Sequence, residues 1–216
     1  RDDMVSRGLG DVYKRQPAEM LVVLGADHVT AHDAADGREI WRVGGLNPEG
    51  NTFFRSIASP VVSGEFVIAP YARGNTVTAI RRGGAGDVTA SHIAWEREPL
   101  GADVPTPAIR DGRVMICGDK GLMSCLDLKT GETIWEDSLP KNRNKFSSSP
   151  IIVDDHVLLT REDGHSWCLT WPGEKGESLT VLGEGMVDEM TVATPVCLDG
   201  DIFLRTHDSL WCIKSK

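Results

Sequence analysis

Long apolar runs are missing from this sequence. No stretch approaches the ~20 apolar residues of a membrane-spanning helix, so no helical span is expected. Helical patterning is scarce too, because Gly, Pro or turn clusters interrupt every window with apolar residues at helical spacing. The five cysteines include no adjacent pair and no Cys-x-x-Cys. There is no Gly-x-Ser-x-Gly, no phosphate-binding loop and no His-Glu-x-x-His, and the six histidines are scattered without metal-ligand spacing. Positive charge is in deficit: 23 Lys and Arg stand against 32 Asp and Glu, for a net charge of −9. That argues against the basic face a nucleic-acid binder needs. The acidity serves either solubility or an acidic binding surface.

Turn formers and repetition are present instead. Twenty-three Gly and eleven Pro suit an all-β chain rich in turns. The stretch Met-Ser-Cys-Leu-Asp-Leu-Lys-Thr-Gly-Glu-Thr-Ile-Trp from Met123 to Trp135 predicts a strand, a tight turn and a second strand. A second copy runs from Val29 to Arg42, with Asp33, Gly37, Ile40 and Trp41 at matching offsets. A small hydroxyl residue followed by Pro marks four more positions, at Ser59-Pro60, Thr106-Pro107, Ser149-Pro150 and Thr194-Pro195. Those prolines are 47, 43 and 45 residues apart, and each precedes an apolar strand, a polar turn and two or three further strands. Four short strands in about 45 residues is the period of a propeller blade. Such blades must stack to bury their faces.

The phrases Ala31–Trp41 and Cys125–Trp135 resemble the tryptophan-docking repeat of the pyrroloquinoline-quinone-like β-propellers: small residue, x, Asp, two residues, Thr or Asp, Gly, three residues, Trp. The structural positions of the repeat are Asp33, Gly37, Trp41, Trp95, Asp127, Gly131 and Trp135. The second copy departs from the pattern, since Arg81-Arg82-Gly83-Gly84-Ala85-Gly86 replaces the Asp and lengthens the turn; the fourth loses its Trp near Leu179–Leu182. The resemblance implies an all-β propeller of about four and a half blades, each of four antiparallel strands, forming an open arc. The large rings are expected to cover the outer strand's edge against a neighbouring blade, with their indole N–H groups satisfied nearby.

Residues 1–16 match no repeat and read as a non-native leader or a disordered linker. Residues 17–216 read as one partial propeller with blades at about 17–46, 47–100, 101–141, 142–186 and 187–216. The first lacks its hydroxyl-Pro strand and the last its outer strand. The chain therefore reads as the C-terminal part of a longer propeller whose missing N-terminal blades are its first partners. Cys125, Cys168 and Cys212 share one repeat position, where Ala31 and Ala79 stand in the first two copies, and all five cysteines are expected to be buried apolar thiols.

Alternation of strand direction collects the longer loops on one face, the default place for recognition. Arg55, Asn144, Lys145, Glu189 and Arg205 are the ligand candidates there, and Glu162, Asp163 and Asp188 are further acidic members. The pair Asp188-Glu189 is either a solvated loop or a source of oxygen ligands for a hard cation. No catalytic, cofactor-binding or metal-binding residue is assigned. In the quinone dehydrogenases of this superfamily the cofactor stacks against an adjacent cysteine pair beside calcium, and the residues present support neither pyrroloquinoline quinone nor calcium. Two functions stay open. One is a non-catalytic interaction or scaffold module with a protein partner on the loop-rich face, similar to the outer-membrane assembly lipoproteins of the superfamily. The other is the C-terminal part of a quinone-dependent alcohol or sugar dehydrogenase. The resemblance suggests a periplasmic or exported protein.

Overall fold

The computed structural model describes residues 12–13, 20–25, 27–55, 57–171 and 179–214. The chain divides into two compact units, 1–103 and 104–216. Among the described residues no helix is long and apolar enough to cross a membrane.

The first unit holds two sheets. Strands β1 (Val12–Tyr13), β2 (Met20–Leu24), β3 (Val29–Asp33) and β4 (Glu39–Val43) form an antiparallel meander. The second sheet contains β5 (Val61–Ser63), β6 (Phe66–Tyr71) and β7 (Thr76–Arg81); after β8 (Gly86–Asp87) and a single helical turn α1 (Thr89–His92), β9 (Ile93–Arg97) completes it. The second unit holds β10 (Ala108–Arg110), β11 (Arg113–Cys117), β12 (Leu122–Asp127) and β13 (Thr133–Ser138) in one sheet. A second contains β14 (Ile151–Val153), β15 (His156–Thr160), β16 (His165–Thr170) and β17 (Val181–Met186), and a third β18 (Val196–Leu198), β19 (Asp201–Arg205) and β20 (Leu210–Ile213).

Two of these strands stand outside the sequence reading. Val12 and Tyr13, in the stretch read as a leader, pair with Leu21 and Met20 and supply the first sheet's innermost strand. The remainder of that stretch, 1–11 and 14–16, lies outside the described residues. Strand β8 comes from the lengthened turn of the second repeat. It folds back to lie parallel to β4, pairing Trp41 with Gly86 and Arg42 with Asp87. Thr89 secures the return, its Oγ1 accepting from the Gly44 N–H at 2.8 Å. A sheet edge is thereby covered.

The repeat phrases have local physical causes. In the β12–β13 turn, Asp127 Oδ1 accepts from the N–H groups of Lys129 and Thr130 at 2.9 and 2.8 Å, and Gly131 donates to the Asp127 carbonyl at 2.9 Å. Gly131 sits at φ 71°, as Gly37 does at 75° in the equivalent turn, a conformation that favours glycine. The hydroxyl-Pro phrase joins blades: Thr106 N–H donates to Ser149 Oγ, and Ser149 N–H donates to Thr194 Oγ1, both at 2.9 Å. Each Pro immediately precedes its innermost strand, where no ladder donor is required.

The sheets pack face to face within each unit. Val22, Ala31 and Trp41 of the first sheet share a buried cluster with Val62, Val67, Ala69 and Ile80 of the second. In the second unit Met115, Cys125 and Trp135 are buried with Val157, Leu159, Trp167 and Leu169. The outer-strand tryptophans keep one register, Ala31↔Trp41, Ala79↔Trp95 and Cys125↔Trp135, with a bulge directly after the small residue. In the fourth repeat Gly183 takes the Trp place opposite Cys168. One expectation fails: buried Trp41 leaves its indole N–H without a hydrogen-bond partner among the described residues, because the ring lies within an aliphatic cluster.

The cysteines are all free, yet not all buried. Cys117 and Cys125 are buried, Cys168 and Cys197 half-buried and Cys212 exposed. Cys212 lies on β20, which among the described residues is the last strand of its sheet, whereas Cys125 is paired with Trp135 of an outer strand.

Candidate functional site

An open cleft of the second unit is lined by Asn144, Glu162, Asp163, Asp188, Glu189 and Met190. Three loops build it: the β13–β14 connection, the β15–β16 turn and the segment after β17. Backbone bonds tie them together. Glu162 N–H donates to the Lys145 carbonyl and Thr191 N–H to the Glu162 carbonyl, each at 2.9 Å, while His207 N–H donates to the Met190 carbonyl at 2.8 Å. Gly164, at φ 84°, allows the closest approach; a Cβ there would meet the Glu189 carbonyl and Val187 Cγ2 at 2.7 Å.

Three of the four carboxylates are held in different ways. Ser147 Oγ donates to Glu162 at 2.6 Å. Glu189 accepts from the hydroxyls of Thr206 and Ser209, the latter at 3.2 Å. Asp163 receives both arms of the Arg161 guanidinium at 2.9 Å. Burial pushes the Asp163 carboxyl up, but Arg161 and the His165 N–H outweigh it and hold the group below the usual carboxylate range. Asp188 stands in the left-handed region at φ 50°.

Beneath the cleft the arginine is itself fixed. Arg161 is buried, donates to the Pro140 carbonyl at 3.3 Å and lies 5.0 Å from the Trp167 ring centroid. His165 stacks on that ring at 4.0 Å and contacts Glu184 at 3.0 Å. The Arg161 guanidinium is therefore turned into the fold and committed to Asp163. Among the described residues no three of His, Cys, Asp and Glu are grouped to hold a metal ion.

Of the five loop-face candidates, the structure brings Asn144 and Glu189 together in the cleft. Lys145 contributes its backbone there, while its ammonium lies 3.9 Å from Asp119. Arg205 ends β19, exposed, and its carbonyl accepts from Thr191 Oγ1 at 2.7 Å. Arg55 belongs to the first unit, paired to buried Asp103 at 3.0 Å. Glu162, Asp163 and Asp188 join the site as their loop positions imply. The sequence offers no comparable signal for Met190, an apolar residue in a polar loop.

The family described as outer membrane protein assembly factor BamB has a model that matches residues 6–171. The chain belongs to this family. No curated protein matches it in sequence. Among solved structures, BamB from Moraxella catarrhalis is 16% identical, with a TM-score of 0.68 over 94% of this chain and 56% of that one. The computationally designed Ika8 protein is 13% identical, with a TM-score of 0.66 over 94% and 57%. Raptor from Chaetomium thermophilum is 11% identical, with a TM-score of 0.62 over 92% and 19%. At such identities the likeness shows the β-propeller fold alone. The chain spans a little over half the length of the first two. The family match covers the Asn144 and Glu162 sides of the cleft, while Asp188–Met190 lie beyond it.

Proposed function

We propose that this member of the BamB family is a non-catalytic interaction module whose acidic cleft receives a basic segment of a protein partner. The observation that carries the reading is the cleft itself: four carboxylates from two loops, with Glu162 and Glu189 held by hydroxyl bonds and the nearest guanidinium already committed to Asp163. A pre-set field of one sign favours complementary charge and hastens encounter more than it adds affinity. The family's description as an assembly factor favours a protein over a small-molecule partner.

Titration with a hexa-arginine peptide, with hexa-glutamate as control, tests this reading. Binding of the basic peptide alone is expected, weakening as salt rises and falling at least tenfold in an Asp188→Lys, Glu189→Lys variant. Equal binding of both peptides, or indifference to the double substitution, would refute it.

A further inference from the structure

We propose that the hairpin tips Asp111-Gly112 and Asp199-Gly200 are modification sites, at which aspartate rearranges without an enzyme to isoaspartate through a cyclic imide. This goes beyond the cleft and concerns two turns that do not line it.

The rearrangement needs an aspartyl side chain, a following residue without a Cβ, and a backbone nitrogen free to attack. That nitrogen bonds to the Asp Cγ while the Cγ–OH bond breaks, and the amide proton leaves with the hydroxyl as water. Water then re-enters at one of the two imide carbonyls. Opening at the side-chain carbonyl restores aspartate; opening at the main-chain carbonyl leaves isoaspartate, with one more methylene in the backbone.

The chain has four Asp-Gly pairs, at 36–37, 111–112, 163–164 and 199–200, and the fold treats them differently. Two are tied. Gly37 N–H donates to the Asp33 carbonyl at 2.8 Å, and Gly164 N–H to the Arg161 carbonyl at 2.9 Å. Their carboxylates are engaged as well, Asp36 by the Arg38 N–H at 2.9 Å and Asp163 by both arms of Arg161. The other two are open. Gly112 and Gly200 lie in two-residue loops closed by Arg110↔Arg113 and Leu198↔Asp201, and their N–H groups have no hydrogen-bond partner among the described residues. Asp111 and Asp199 are exposed and both stand at φ 51°, so each loop sets two left-handed residues in succession, a conformation that suits glycine better than aspartate. Asp199 has no ion pair among the described residues. Asp111 contacts Arg110 at 3.2 Å, an exposed pair of little strength, so Asp199 leads and Asp111 follows. At Asp111 the added methylene displaces the Gly112 carbonyl, which accepts from the Leu128 N–H at 2.8 Å and ties the tip to the chain just past β12.

The test is prolonged incubation of the full chain in mildly acidic buffer made with heavy-oxygen water, then digestion in ordinary water and peptide mass spectrometry. Each imide cycle exchanges one carboxyl oxygen, so the label counts events at every Asp. Label is expected first at Asp199 and next at Asp111, each about tenfold or more ahead of Asp36 and Asp163, where the glycine N–H and the carboxylate must first be released. Asp36 separates this reading from simple exposure, because its side chain is 60% exposed against 69% for Asp111. The β14–β15 tip has the same form, with Asp154 at φ 48°, but Asp155 brings a Cβ, so Asp154 should stay unlabelled. In guanidinium the four Asp-Gly pairs should converge. Asp36 labelled in step with Asp111 in the folded chain would overturn the proposal, and so would an order of labelling that persists after unfolding.

Discussion

Trp135 and Trp41 occupy one repeat position in different units, and their surroundings differ in one respect. Both rings are buried against the following sheet, but the Trp41 indole N–H is left without a partner among the described residues. Trp135→Ala is expected to cost about 3–5 kcal/mol in chemical denaturation, the range for deleting a buried aromatic side chain. A ring that a soluble quencher reaches freely would contradict the burial on which that figure rests. Asp163 supplies a pH signature. Its carboxyl lies below the ordinary range when folded, so its contribution is complete above the unfolded value of about 3.9 and is lost as pH falls through the folded one. The stability gap between wild type and Asp163→Asn should therefore be widest near neutrality and shrink below about pH 3.9. A gap that stayed constant down to pH 2 would show that Arg161 does not stabilise the charged form.

Elements reveal what the sequence made legible and what it did not. The meander of short strands, the Asp-Gly turns and the inner-strand prolines were readable because each has a local cause within a few residues. Asp127 binds the turn that follows it, and Gly131 adopts a φ that favours glycine. The purpose of the hydroxyls before Pro150 and Pro195 was hidden, since their partners are backbone N–H groups 43 and 45 residues away. Strand β8 was hidden for the same reason. The glycine-rich turn announces only a departure from the repeat, while its pairing with β4 depends on two sheets having already packed. The cleft was half legible. Loop order placed Asn144, Glu162 and Glu189 on one face, but the tie through Gly164 follows from a tertiary approach. Gly164→Ala is expected to destabilise by about 1–3 kcal/mol, because a Cβ there has no space and the backbone is left-handed. The cleft peptide should bind this variant more weakly than wild type, and urea unfolding together with the peptide titration checks both effects.

At the scale of the whole chain, the five cysteines all fall in the second unit, at 117, 125, 168, 197 and 212. None is bridged, and they grade from fully enclosed to open. Burial pushes the Cys125 thiol up to about 12 and raises Cys117 further, so neither supplies appreciable thiolate near neutral pH. Cys212 has no such shelter. This gradient makes the unit a clock for its own opening. In a timed exposure to iodoacetamide, mass spectrometry should show Cys212 labelled at once and Cys117 and Cys125 only as fast as the surrounding sheets come apart. The lag between the first added mass and the last would report how rarely the closed sheets open, without denaturant, dye or an introduced reporter.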